Sequence, residues 1–585
     1  MKKTAFFILI LVFGMTQIEL FAQNKDWRDI RNGVAEIPDE GYCDQPYVVK
    51  TGTGKWLCVL TTGPGTESQA GQHIVASISS DQGKTWSELI DIEPSSDVIS
   101  SWATPYVTPY GRIYVFYNYN GNHIASIKGK PISNAALLGW YCYKYSDDEG
   151  KSWSARFRLP LQKTAVDFIN DWNGEVQHFW GISKPVNVHG SMYFAFTKMG
   201  KYHQELGEGW FFKSDNINEE RDVEKLSWVS LPDGEQGLST AALGSVQEEH
   251  NLVGLNNGDL YCVLRTGEGF PAHSYSRDGG RNWDRPVYMT YAADGDEMKN
   301  PRACPRVFKC DNGKYLLWYH NHQKVDHWQY RNPAWISGGI EIDGVINWSQ
   351  PEILLYATDT TERMSYPDLV EENGEYWITE TQKEVARLHV IDPALLEGMW
   401  SQGQRNNIIS KGLLPTGYKP GNRSVVLSEE HRVGPEEGFS IDLWLETDEL
   451  IPNQVIFDNR NESGNGFWLT VSDQHTLKLF LSKGQTIQGW DTDPGSLKMG
   501  QLQHVVFIVD GMAGIMTTVV NGKLCDGGRY RPFGWAWLKT ALRTPSRNNE
   551  IRISEAWADR IKNIRFYNRY LTTSEAISNY RSGLN

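Results

Sequence analysis

The sequence predicts an all-β chain in two parts, a six-bladed β-propeller and then a second β-rich region. Three observations predict it. A short turn motif, S-x-D-x-G-x-x-W, occurs at Ser79–Trp86, Ser146–Trp153 and Ser276–Trp283. An extended segment, a glycine turn and an alternating apolar strand recur out of phase with that motif. The composition then changes after Trp400, where strands continue but the motif does not.

The turn motif has a local physical logic. Asp accepts backbone N–H groups inside a hairpin turn, Gly takes a positive φ, and Trp packs the turn onto its sheet. Ser79 and Ser146 are 67 residues apart, and Ser146 and Ser276 are 130 apart, about two such periods. A unit without a full motif is therefore expected between them, and Ser214-Asp215 before Trp228 is its degenerate form. Asp343-Gly344 before Trp348 is another. The second repeat gives the unit count. Its copies are Pro46 to Leu60, Pro105 to Phe116, Pro185 to Phe196, Asn251 to Leu264, Pro305 to Trp318 and Pro367 to Ile378. Antiparallel units repeated radially make a propeller. Its expected extent is 23–400, with the segment Ile30 to Val34 closing the ring. A polar, Gly- and Pro-containing linker follows at 401–420, and the second region spans 421–585.

Length and charge narrow the function classes. A chain of 585 residues holds more than one domain. A net charge of −14 argues against a nucleic-acid partner, which needs a basic face. Lys2, Lys3 and the apolar run Phe6 to Phe13 read as an export signal over 1–22, cut near Ala22. That run is too short to span a bilayer, and no later stretch is long and apolar enough. The mature chain is thus expected in the periplasm or outside the cell. Seven scattered Cys without a CxxC suggest buried thiols rather than a disulfide framework or a zinc site. No nucleotide, haem or flavin motif is visible, so no cofactor is expected.

The three S-x-D-x-G-x-x-W turns are Asp boxes, and over 27–400 the chain resembles the sialidase (neuraminidase) superfamily, whose propellers carry these BNR repeats. The region after 420 resembles the laminin-G/concanavalin A-like jelly roll, a β-sandwich. Its most specific pieces are Val520-Asn-Gly-Lys523 and the ending Ile561 to Leu571 with the short helix after it. The first resemblance implies an exo-glycoside hydrolase that removes a terminal, acidic sugar with retention. The second implies either a carbohydrate-binding module or a structural sandwich leaning on the propeller.

The resemblance also implies site residues. Tyr366, opening the sixth repeat, matches the family nucleophile; a phenol can attack where an anionic nucleophile is repelled by a sugar carboxylate. Glu249, opening the fourth, matches the base that takes the phenol proton, with Glu248 the alternative if the register shifts by one. Arg265 matches the second arginine of a substrate-binding triad. Arg331 is the candidate for the third, in competition with Arg302 and Arg306. Glu67 occupies the place of the acid/base Asp. The departure lies at Tyr42-Cys43-Asp44-Gln45-Pro46, where Asp44 stands in place of the first arginine. Asp44 and Gln45 are then candidates for binding sugar hydroxyls, and Glu380 loses the arginine it would steady. His320 and His322 alternate on one strand without an evident third metal ligand. His73, His250 and His273 fall near the pocket side, so a His–Tyr lyase acting on uronic acids is the alternative enzyme. A non-catalytic glycan-binding protein is the alternative outside enzymes.

Overall fold

The computed structural model describes residues 25–202, 205–292, 295–324, 330–427, 438–543 and 548–584; the expected export signal lies outside them. The architecture is all-β. All six repeats form antiparallel hairpins. The first strands Tyr42–Lys50, Ser100–Val107, Gln247–Gly254, Arg306–Lys309 and Ser365–Glu372 lie inward. Tyr42–Lys50 packs on both Ser100–Val107 and Ser365–Glu372. Gln247–Gly254 packs on Ser191–Lys201 and Arg306–Lys309, and Arg306–Lys309 packs on Ser365–Glu372. The contacts thus return to the hairpin where they began. The second and third hairpins are joined into one nine-stranded sheet through Gln177–Trp180.

The segment expected to close the ring adds to the last hairpin one step later. Ile30–Asn32 is a 3-10 turn capped by Asp29, and the closing strand is Ala35–Ile37, paired with Ala386–Ile391.

The Asp boxes behave as their chemistry dictates. In the first, Asp81 Oδ1 accepts from Ser79 Oγ at 2.8 Å and Thr85 N at 2.9 Å, and Gly83 N donates to Ser79 Oγ at 2.8 Å. The same bonds recur around Asp148 and Asp278. Gly83 needs to be glycine twice over: its φ is +77°, and a Cβ would lie 2.2 Å from Leu388 of the preceding sheet. Trp283 stacks on Phe211 of the neighbouring sheet at 4.4 Å. Asp343-Gly344 is a tight turn with both φ positive rather than a box. All seven Cys are free and buried. No helix among the described residues is long and apolar enough to cross a membrane.

The C-terminal region is a sandwich of two sheets around one core that includes Ile441, Leu443, Leu469, Leu479, Phe507 and Phe566. It is docked on the propeller. Val506, Ile508, Ile515 and Trp535 share a buried cluster with Tyr291, Tyr319 and Trp335. Arg28 donates to Asp510 at 2.8 Å, and Glu352 accepts from Thr573 N and Ser574 N at the start of helix Thr573–Ser582. The segment 401–420 is tied down rather than free: Asn407 N and Ile409 N bond Ser578 and Asn579, and Leu414 N bonds Phe566 O.

Candidate active site

Four inner strands carry the same irregularity at the same place. Each has a β-bulge, and a residue in the bulge adopts a left-handed backbone: Gln45 (φ +53°), Trp102 (+57°), Glu249 (+53°) and Tyr366 (+46°). Side chains normally avoid this region, at a cost of about 1–3 kcal/mol each. Bulges re-aim side chains and are frequent beside active sites. The residues before the bulges, Asp44, Ser101, Glu248 and Ser365, face Thr61, Asn118, Arg265 and Thr381 across their hairpins. The site therefore sits where inner strands begin and second strands end.

Tyr366 and Glu249 meet there. The Tyr366 hydroxyl donates to Glu249 Oε1 at 2.7 Å. Arg265 Nη1 lies 2.8 Å from the same oxygen, and its Nη2 lies 3.1 Å from Glu248 Oε1. Arg302 shares that oxygen of Glu248, with Nε and Nη2 both 2.9 Å from Oε1. The bulge decides between the two glutamates: Glu249 faces the phenol and Glu248 holds arginines. Burial and then the Glu249 charge push the Tyr366 phenol well above its ordinary value, so it rests protonated. Burial opposes charge on Arg265, but Glu248 and Glu249 outweigh it and hold Arg265 firmly protonated.

The opposite wall is organised by Lys383. Its Nζ is 2.5 Å from Asp44 Oδ2 and 3.6 Å from Glu67 Oε2, and lies 4.5 Å over the Tyr366 ring. Tyr42 donates to Asp44 Oδ2 at 3.1 Å, and Asn134 Nδ2 donates to Glu67 at 3.3 Å. Burial raises the Asp44 carboxyl, with Lys383 pulling against it. Sequence reasoning did not single out Lys383. Its signal is positional: it lies two residues past Thr381, which occupies the place in its hairpin that Arg265 occupies in the fourth.

Arg331 is buried beside these groups. It donates to Ser365 Oγ at 2.8 Å and to Arg302 O at 3.3 Å, its Nε has no partner, and among the described residues it makes no ion pair. Gln45 is fully buried, and its Oε1 has no partner. Arg306 points elsewhere, bonding Ile182 O and lying over the Tyr47 ring. With Lys184 and Asp368 it lines a 590 Å³ cavity toward the far ends of the inner strands. Glu380 pairs with His389 at 3.3 Å and Arg387 at 3.5 Å.

The histidines are engaged with other groups. His320 Nδ1 and His322 Nε2 lie 3.2 and 2.6 Å from the carbonyls of Pro333 and Tyr330. His73, His250 and His273 bond Gly71 O, Thr197 and Tyr261. Among the described residues, no cluster with metal-ligand character is present.

Comparison with known proteins gives two family matches. Residues 103–378 match the BNR repeat-like domain, and residues 420–576 match the concanavalin A-like lectin/glucanases superfamily. No curated protein matches the chain. Among solved structures, the chain is similar to the intramolecular trans-sialidase from Ruminococcus gnavus in complex with oseltamivir carboxylate. The identity is 14%, coverage is 64% of this chain and 99% of that one, and the TM-score is 0.46. Trypanosoma rangeli sialidase in complex with sialic acid is 12% identical over 93% of this chain and 94% of that one, with a TM-score of 0.42. A Dyadobacter fermentans protein of unknown function is 15% identical over 61% and 97%, with a TM-score of 0.45.

Proposed function

For a chain that carries a BNR repeat-like domain followed by a concanavalin A-like lectin/glucanase domain, we propose an exported, retaining exo-glycoside hydrolase on a six-bladed propeller. Its substrate is a glycan ending in an acidic sugar. The observation that carries this reading is the 2.7 Å bond from the Tyr366 phenol to Glu249, with Arg265 on the same carboxylate oxygen. A phenol that rests protonated becomes a nucleophile only when a base takes its proton as it attacks, and Glu249 is in place to do so.

In the first step Glu67 protonates the leaving glycosidic oxygen. Tyr366 bonds to the anomeric carbon while its proton passes to Glu249, and the bond to the leaving sugar breaks. In the second step Glu67, now a carboxylate, takes a proton from water. The water oxygen bonds to the anomeric carbon, the bond to Tyr366 breaks, and Glu249 returns the proton. Arg331 supports the acidic-sugar assignment: a buried guanidinium that pairs with no carboxylate among the described residues suits an anionic group on the ligand. Asp44 and Lys383 balance each other, and Gln45 offers an unpartnered amide oxygen to a hydroxyl. The lyase alternative would need a His beside Tyr366, whose partner here is Glu249.

The test is sugar release from a panel of sialylated and uronic-acid glycans by the native chain and by Tyr366→Phe. Release by the native chain that falls about 1,000-fold or more in the variant is expected. Glycan binding without release from either protein would sink hydrolysis and favour a lectin.

A further inference from the structure

The sandwich reaches the face of the propeller that carries the site. That face is where inner strands begin and second strands end, and in the fifth hairpin it comprises Lys299–Arg302 and the residues after Tyr319. The sandwich loop 526–535 is seated on both. Lys299 Nζ donates to Asp526 O and Gly528 O at 2.7 Å each, and to Arg531 O at 3.2 Å. Gln323 N donates to Pro532 O at 2.9 Å, Phe533 stacks on His322 at 4.7 Å, and Trp535 Nε1 donates to Asn321 O at 3.0 Å. Three residues after Lys299, the Arg302 side chain holds Glu248 in the pocket, and Arg331 donates to the Arg302 carbonyl.

The loop is braced from its own side as well. Arg531 bonds Asp491 at 2.7 Å and Asp493 at 2.9 Å and lies over the Trp490 ring at 3.9 Å. Its tip is nevertheless presented to solvent. Arg529 is exposed, and Tyr530, at 71%, is the most exposed large apolar side chain among the described residues. A loop anchored on the face that carries the site and leaving an aromatic ring uncovered is pre-organised for a ligand, because little ordering remains to be done on binding.

We propose that this loop is a leaving-group subsite of the hydrolase. The sandwich completes the substrate cleft, and the Tyr530 ring stacks on the pyranose next to the sugar being removed, with Arg529 beside it for a polar or acidic substituent. The inference rests on the hydrolase reading above. The substrate class it selects is an oligosaccharide rather than a free monosaccharide glycoside.

The experiment compares two substrates sharing one terminal sugar, N-acetylneuraminic acid in one pair and glucuronic acid in another. One is a tetrasaccharide; the other is the glycosyl fluoride, which has no leaving sugar. Tyr530→Ala is expected to lower kcat/KM on the tetrasaccharide roughly tenfold, mainly through KM, and to leave the fluoride unchanged. Lys299→Met, which frees the loop, is expected to do the same. An equal loss on both substrates, or no loss on the tetrasaccharide in Tyr530→Ala, overturns the subsite. If the native chain cleaves neither substrate, hydrolysis has failed, and calorimetric titration with the tetrasaccharides decides the subsite alone. Binding weakened roughly tenfold by Tyr530→Ala supports it, and unchanged or absent binding overturns it.

Discussion

The two walls of the pocket start from the same backbone and solve the same problem differently. In the fourth hairpin, Glu248 precedes the bulge and Arg265 faces it across the hairpin, so one cation comes from within the sheet and Arg302 adds a second from before the fifth hairpin. In the first hairpin, Asp44 precedes the bulge and faces Thr61, so the cation comes from the adjacent sheet as Lys383. Arg265 sets its planar fork on two carboxylates, whereas Lys383 shares one ammonium on a flexible stem between Asp44 and Glu67. The arginine wall is thus a fixed frame for Tyr366 and Glu249. The lysine wall is more adaptable, and it carries the candidate proton donor Glu67, which is partly exposed.

The comparison can be broken most decisively at Arg265. Arg265→Met leaves Glu248 and Glu249 buried and short of a counter-charge, and breaking a buried pair typically costs about 3–5 kcal/mol. Chemical denaturation should show that loss. A variant of native stability would mean that Arg302 alone supports the frame.

A further buried carboxylate, Glu352, sharpens the comparison, because no ion pair holds it among the described residues. Glu352 accepts from the backbone of Thr573 and Ser574 and the Ser574 hydroxyl, and burial lifts its pKa to about 7. The folded state then keeps a proton that the unfolded chain releases near its ordinary value of 4.5. Stability is therefore full below that ordinary value and declines as pH rises toward 7, by about 3 kcal/mol from this group. Thermal unfolding across pH 4.5–7.5 should show a shallower decline in Glu352→Gln. An unchanged slope would place the titration elsewhere.

The smallest effect is expected at the lysine wall. Lys383→Met should cost about 2 kcal/mol at neutral pH. Asp44, already raised by burial, loses its counter-charge and moves further up, so the cost shrinks as pH falls and Asp44 protonates. Stability measured at pH 5 and pH 8 reads this directly. A larger loss at pH 5 would reverse the assignment.

Much of this protein was legible in short stretches of chain. Asp boxes are self-contained, since Ser79, Asp81, Gly83 and Thr85 satisfy one another within one turn. Hairpins are legible because alternation and a glycine turn specify pairing locally. Tyr366, Glu249 and Arg265 were legible because each occupies a defined place at the start or end of its hairpin. The sequence favoured Glu249 and kept Glu248 as the alternative, because one bulge residue reverses which glutamate faces the axis.

The sequence by itself determined an all-β chain, its repeated hairpins, the turn chemistry and the residues brought to the mouth of each hairpin. Only the tertiary structure decided which of those residues touch. Lys383 meets Asp44 across 339 residues, and Tyr366 meets Glu249 across 117. Lys299 meets the sandwich loop more than 220 residues away. Side-chain periodicity and turn chemistry act over a few residues. Partnerships across the pocket arise when the first and last hairpins pack together and the sandwich docks, which local pattern does not encode.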